Sequence, residues 1–298
     1  MLRGHRTHRR GACHEAAAKE ETVPVHLTEG MVVEDQGSGP AVVLVHGLGG
    51  NLSLWSGWMP VLQGYRCLRI DLPGCGLAPA ASQPLSVASL AASLLAMCRR
   101  LEVVRAHWVA HSMGTLVCQR VAVQEPSRVA SLALFGPLSA APEASRRALE
   151  QRALRAREGG LAAMHTIADN LAQATLSAQT RRDEPLADAF VREVIRRNHP
   201  MSYALHCEAL AHAQGEPLEV VEAPTLLVTG DEDSVTPPQM MRSIAGRLSS
   251  STLVQSHVLR GCGHWTPIER RTECLRLWSD FVRVSVRAQR HTRAGTIV

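Results

Sequence analysis

The chain has 298 residues, 45% hydrophobic and 20% charged, an ordinary balance for a globular protein. That length can bury a sizeable core, in one large α/β domain or two modest ones. The net charge of +5 belongs to the ends: Arg3, Arg6, Arg9 and Arg10 open the chain, and Arg283, Arg287, Arg290 and Arg293 close it, leaving −3 for the rest. A slightly acidic body argues against a basic nucleic-acid face. No apolar run approaches the ~20 residues that span a bilayer, so no membrane partner is expected either.

Lys19 is the sole lysine, and the arginine excess reads as a bias of composition rather than as phosphate recognition. The eight cysteines form no C-x-x-C pair and no disulfide framework; Cys67 and Cys118 sit in apolar company, as small buried hydrophobes do. A reducing cytoplasm is the expected compartment. The first twenty residues lack the apolar stretch of a secretory signal. Residues 1–25 read as a disordered basic extension, or a start assigned too far upstream, in preference to an organellar transit segment; 287–298 read as a basic tail.

From Thr22 to Val33 the alternation suits one or two early strands, followed by a turn at Gln36–Pro40. Ala41–Val45 is a continuous β-branched run, the pattern of a strand buried on both faces, and it leads straight into His46-Gly47-Leu48-Gly49-Gly50. A helical stretch over Leu54–Leu62 precedes a short strand at Cys67–Ile70, which ends in Asp71-Leu72-Pro73-Gly74-Cys75-Gly76. Ser86–Leu101 has helical spacing, Ala106–Ala110 is a strand, Met113–Val123 a helix, and Val129–Phe135 another strand. Residues 138–215 hold no convincing strand; helical runs are expected near 142–157, 160–173, 184–197 and 201–212. The alternation resumes with strands at Thr225–Thr229 and Leu253–Leu259, a helix at Pro237–Leu248, and a last helix from about Pro267 to Val284. Strands alternating with helices predict a doubly wound, mostly parallel sheet with its ligands at the carboxyl ends of the strands. The expected organisation is a core of 26–137 and 216–286, interrupted by a helical cap at 138–215.

The chemistry centres on Ala110-His111-Ser112-Met113-Gly114, where a strand stops at a serine and a helix starts at once. Small residues two before and two after the serine allow the sharp turn of a nucleophile elbow, with alanine where glycine is usual at the first position. Acyl transfer by Ser112 needs a base, a carboxylate to orient it and donors for the oxyanion. His264, in Gly261-Cys262-Gly263-His264-Trp265 after the last strand, is the candidate base. Asp231, Glu232 and Asp233 compete as the acid; Asp233, just ahead of Pro237 and the next helix, is favoured, and its neighbours read as solvated turn residues. The oxyanion donors are expected to be the backbone N–H groups of Met113, at a helix N-terminus, and Leu48. A dinucleotide-binding reading of Gly47-Leu48-Gly49 fails because Leu52 stands where the third glycine belongs.

Taken together, HGLGG, DLPGCG, AHSMG, GDEDSVTPP and GCGHW resemble the α/β-hydrolase superfamily over roughly residues 28–286. The resemblance implies Ser112, Asp233 and His264 as a catalytic triad, Leu48 and Met113 as oxyanion donors, a structural Asp71, and no metal or organic cofactor. Within the superfamily, the Arg155–Leu161 and Ala223–Asp231 runs resemble 3-oxoadipate enol-lactonases. A cap with only Phe190 and Tyr203 as aromatics, lacking a pocket tryptophan, and the alanine in the elbow depart from them. The implied partner is a small ester or lactone, with a homo-oligomer possible. Carbon–carbon hydrolases of ring-fission products and hydrolase-fold ligand receptors share the scaffold. Arg146, Arg147, Arg152, Arg155 and Arg157 read as a solvated helix face rather than an anion site, and Trp265 as lining the pocket or packing under the last helix.

Overall fold

The computed structural model describes residues 23–141 and 143–294. Most of the basic N-terminal extension, residues 1–22, and the last four residues of the tail lie outside the described residues. One eight-stranded sheet runs through the molecule in the order β1-β2-β4-β3-β5-β6-β7-β8. The strands are β1 (Val25–Thr28), β2 (Met31–Gln36), β3 (Ala41–Val45), β4 (Arg66–Asp71), β5 (Ala106–His111), β6 (Val129–Phe135), β7 (Thr225–Gly230) and β8 (Val254–Leu259). The first two are antiparallel to their neighbours, and the six from β4 to β8 run parallel. The doubly wound α/β sheet anticipated from the alternation is therefore present.

Burial follows position in the sheet. Central β3 is apolar throughout and β5 is buried throughout, its His107 and His111 included, because helices cover both faces, and Val43, Val109 and Leu132 are wholly buried. Edge strand β1 leaves Val25 and Leu27 more than half exposed. On the faces lie α1 (Val87–Arg100), α2 (Met113–Gln124), α7 (Pro238–Arg247), the short α8 (Thr266–Glu269) and α9 (Arg271–Ala294). Helix α1 starts where Ser86 and Ser89 each accept the other's backbone N–H, a reciprocal cap that removes two orphan donors. Residues 52–61 wind as a 3-10 helix rather than an α-helix: Pro60 lies inside the run, and Asn51 caps its start through Ser53 N. Trp55 and Trp58 from this run stack edge-on, and Trp58 meets Phe135 at the tip of β6 at 5.2 Å.

Between β6 and β7 the chain inserts four helices: α3 (Glu143–Thr175), α4 (Ala178–Asp183), α5 (Pro185–Arg196) and α6 (Pro200–Ala211). The expected break at 159–160 is a kink within α3, where Gly160 takes a left-handed φ of 55°. Helix α9 runs to Ala294, ten residues past the expected end, so the described part of the supposed basic tail is helical. The seven described cysteines, Cys67, Cys75, Cys98, Cys118, Cys207, Cys262 and Cys274, are buried and free. Among the described residues no helix is long and apolar enough to cross a membrane.

Candidate active site

Ser112 occupies a backbone conformation that side chains avoid, φ 52° and ψ −124°, between the last residue of β5 and the first of α2. Such a residue stores of order 1–3 kcal/mol and persists only where its surroundings over-determine it. Here they do. Ser112 N donates to Phe135 O at 2.9 Å, and the Ser112 carbonyl accepts from Thr115 N at 2.8 Å and from the Thr115 hydroxyl at 2.6 Å. Gly114 cannot be replaced: a Cβ there would stand 2.5 Å from His46 O. Ala110, by contrast, buries its methyl completely within the sheet.

The serine hydroxyl meets the histidine loop. Ser112 Oγ lies 2.8 Å from His264 Nε2, and His264 Nδ1 lies 2.9 Å from Asp233 Oδ2, although 152 and 31 residues separate the partners. The ionised carboxylate only accepts, so Nδ1 carries the proton and Nε2 offers its lone pair to the serine. All three side chains are buried, with Asp233 only 3% exposed. Burial by itself would raise the Asp233 carboxyl. The adjacent His264 charge and hydrogen bond, with the Thr236 hydroxyl and N–H, outweigh it and hold the group well below the usual carboxylate range. Val235 N and Thr236 N donate to Oδ1, while the hydroxyls of Thr229 and Thr236 approach Oδ2.

The neighbouring acids differ from expectation. Asp231 and Glu232 are exposed but not merely solvated: Asp231 accepts from Cys262 N at 3.1 Å, and Glu232 from Ala178 N at 2.9 Å. Met113 is the first residue of α2, so its N–H has no acceptor within the helix. Leu48 lines the same cavity as Ser112. The loop carrying it is fixed from below, where His46 Nε2 accepts from Leu72 N at 3.1 Å. Asp71 takes the N–H groups of Leu52 and Leu77, a purely structural part.

Two groups that matter here, Glu269 and His111, escaped the sequence reading. Glu269, buried at the end of α8, accepts from Ser177 N and Gly263 N through one oxygen and from Trp265 N through the other. His111, wholly buried, donates from Nε2 to the His264 carbonyl at 2.9 Å and lies 5.0 Å from the His264 ring. Trp265 both lines the cavity and donates to the Thr175 hydroxyl. Five hydrogen bonds join residues 174–178 of the insertion to the loops bearing Asp233 and His264: Glu232, Ser234, His264, Trp265 and Glu269 each contribute one.

The cavity above Ser112 measures about 240 Å³ and is walled mainly by apolar side chains, among them Leu138, Leu149, Leu171, Ile195 and Met240. It is smaller than the roughly 300–1,000 Å³ usual for ligand pockets, and so suits a small molecule. About half of its walls come from α3, α5 and α6 of the insertion. Among the described residues no three His, Cys, Asp or Glu side chains cluster as metal ligands would.

A buried serine–histidine–carboxylate chain on a strand-to-helix elbow, at the carboxyl ends of a parallel sheet, defines the class as that of hydrolase folds. The characteristic pattern of the alpha/beta hydrolase fold matches residues 40–271, and the chain belongs to that family. It is 41% identical over 107 residues to the pimeloyl-(acyl-carrier protein) methyl ester esterase of Methylococcus capsulatus, a match covering 36% of this chain and 40% of that protein. Thus it aligns with well under half of that relative's length. It is 27% identical to the 2-hydroxy-6-oxo-2,4-heptadienoate hydrolase of Pseudomonas putida, over 84% of this chain and 91% of the other. Among solved structures, the enol-lactonase of Burkholderia xenovorans superimposes with a TM-score of 0.78 at 26% identity, over 87% of this chain and all of that one.

Proposed function

We propose that this protein is a serine hydrolase that cleaves a small carboxylic ester or enol-lactone through an acyl-enzyme. The observation that carries this reading is the continuous hydrogen-bonded run from Ser112 through His264 to Asp233 at the floor of a small, largely apolar cavity. Ser112 Oγ attacks the carbonyl carbon while His264 Nε2 takes its proton, and Asp233 stabilises the imidazolium that forms. The oxyanion is received by the N–H groups of Leu48 and Met113, the latter aided by the positive end of the α2 dipole. His264 then protonates the departing alkoxide or enolate. A water, deprotonated by the same nitrogen, releases the acid and restores the serine. The helical insertion acts as the cap that selects the acyl group.

The test is Ser112→Ala, assayed on p-nitrophenyl butyrate alongside labelling of the unaltered protein by a fluorophosphonate. Hydrolysis and labelling should both vanish in the variant while its circular dichroism spectrum stays that of the parent. Undiminished turnover would sink the assignment, and absence of labelling in the unaltered protein would favour a ligand receptor. The match to a heptadienoate hydrolase over most of the chain favours one second reading, cleavage of a carbon–carbon bond in a ring-fission diketone. Comparing an enol-lactone with a vinylogous diketone as substrates separates the two.

A further inference from the structure

Thr175, the last residue of α3, is shared between the cavity and the base. It lines the wall above Ser112 and is only 6% exposed. Its carbonyl accepts the backbone N–H of His264 at 2.7 Å, and its hydroxyl accepts the Trp265 Nε1–H at 3.0 Å. The same hydroxyl donates to Leu171 O, one turn back, at 2.7 Å. That donation uses the single hydroxyl proton, so a lone pair is what faces the indole, whose nitrogen can only donate. The other support of the Trp265 ring is His111, at 5.2 Å and tilted by 38°, a contact with far less direction than a hydrogen bond. The chain approaches closely all along this junction: a Cβ on Gly263 would stand 2.3 Å from Thr175 O. Other polar side chains of the wall have different partners. Ser112 and His264 face each other, Ser234 donates to Ala174 O, and Arg152 turns to the Tyr203 hydroxyl. Arg152 thereby departs from the solvated face expected for it, whereas Arg146 and Arg147 pair with Glu143 outside the cavity.

We propose that Thr175 is the positioning residue that sets the acyl-length limit of this site: its hydroxyl holds the Trp265 ring as the wall against which the acyl chain stops. This inference rests on the hydrolase reading above. Held by Thr175, the indole cannot turn to make room, and a chain too long for the walled space leaves its carbonyl short of Ser112. Without the hydroxyl, a buried indole N–H has no acceptor, and that cost drives the ring to rotate toward water or another carbonyl. The wall then yields, and longer chains are seated. The carbonyl that holds His264 belongs to the backbone and survives any substitution of the side chain. Removing the hydroxyl therefore separates the wall from the base: selectivity moves while turnover of the smallest ester stays.

The experiment compares p-nitrophenyl acetate, butyrate and octanoate. The full chain should favour butyrate over octanoate in kcat/KM by about tenfold or more, since four methylenes decide whether the chain fits. Thr175→Val, close to isosteric, should lower that ratio about fivefold or more through the KM for octanoate, with kcat on acetate within about threefold of the parent and its pH profile unmoved. Thr175→Ala should do the same, should the valine variant not fold, and Thr175→Ser should restore the ratio. Thr166→Val removes an equivalent hydroxyl from the exposed side of α3 and should leave the ratio as it was. In a Trp265→Phe background, Thr175→Val should have no further effect on the ratio, because the bond it breaks is already gone. The indole N–H resonance of Trp265, identified by its loss in Trp265→Phe, should move upfield in Thr175→Val and return in Thr175→Ser. A ratio unmoved by loss of the hydroxyl, an equal loss of kcat on all three esters, or a parent that takes octanoate as well as butyrate overturns the proposal and leaves the hydrolase reading intact. If the parent turns over none of the three, the hydrolase reading falls and the acyl-length limit with it. The indole resonance then still decides whether Thr175 holds the ring.

Discussion

Asp233→Asn isolates the part that the carboxylate plays without disturbing its surroundings. The two oxygens of Asp233 face different company: Oδ1 takes the Val235 and Thr236 N–H groups, and Oδ2 takes His264 Nδ1. An asparagine must keep its carbonyl oxygen toward the two backbone donors, since the amide nitrogen cannot accept from them. Its NH₂ group then faces His264, while the hydroxyls of Thr229 and Thr236 can turn to accept. Nδ1 is forced to accept, the imidazole proton moves to Nε2, and the nitrogen 2.8 Å from Ser112 Oγ can no longer take the serine proton. A wrong tautomer of this kind costs about 10⁴ in kcat in comparable sites, equivalent to roughly 5 kcal/mol of lost transition-state stabilisation. The assay is steady-state hydrolysis of p-nitrophenyl butyrate, with thermal unfolding as a control for folding. A variant within tenfold of the parent in kcat would refute the tautomer argument and with it the role given to Asp233.

Stability should fall in mild acid, because four buried histidines stay neutral in the fold. Burial, the dominant cause in each, lowers His46, His107 and His206 to about 4 and His111, which also faces His264, to about 3. Groups with depressed folded values stabilise above the unfolded pKa near 6.5 and lose that contribution as pH falls toward 4. At pH 5.5 each costs about 1.4 kcal/mol, and together roughly 5–6, comparable with the whole stability of many domains. Urea midpoints at pH 7.5 and 5.5 report this, and equal midpoints would contradict it. Asp233 adds nothing in this window, since its contribution disappears only below the ordinary carboxylate range. Glu269→Ala strips the acceptor from three buried N–H groups, two of which flank His264, at about 1–3 kcal/mol each. The melting temperature and kcat should drop together, and Glu269→Gln should recover part of both; a variant that melts with the parent would count against the clamp.

Strands with a single physical cause were fully legible. Ala41–Val45 and Val129–Phe135 emerge at the bounds their largely apolar runs suggest, as burial on both faces favours. Elements shaped by competing causes were less so. Residues 52–61 have helical composition, but Pro60 and an Asn51 cap tighten them to 3-10 winding. Arg152 looks like Arg147 in sequence, and only the rotation of α3 over the cavity separates the two. Glu269 carried no signal because one of its partners, Ser177, is 92 residues away. Asp233 could be singled out among three acids because Pro237 marks where the next helix begins, and a turn just before it points back at the strand tips.

The seam between residues 174–178 and the loops bearing Asp233 and His264 makes the insertion an interlock. Thr175 O holds the backbone N–H of His264 itself at 2.7 Å, and Ser234, next to Asp233, donates to Ala174 O. Were the insertion to lift as a rigid body, it would break the hydrogen bonds that hold His264 and the neighbour of Asp233 at the same moment. The same seam limits recombination: an insertion transplanted from a relative imports a foreign hold on this chain's own histidine. Its backbone over 174–178 must fit before any choice of pocket residues can matter.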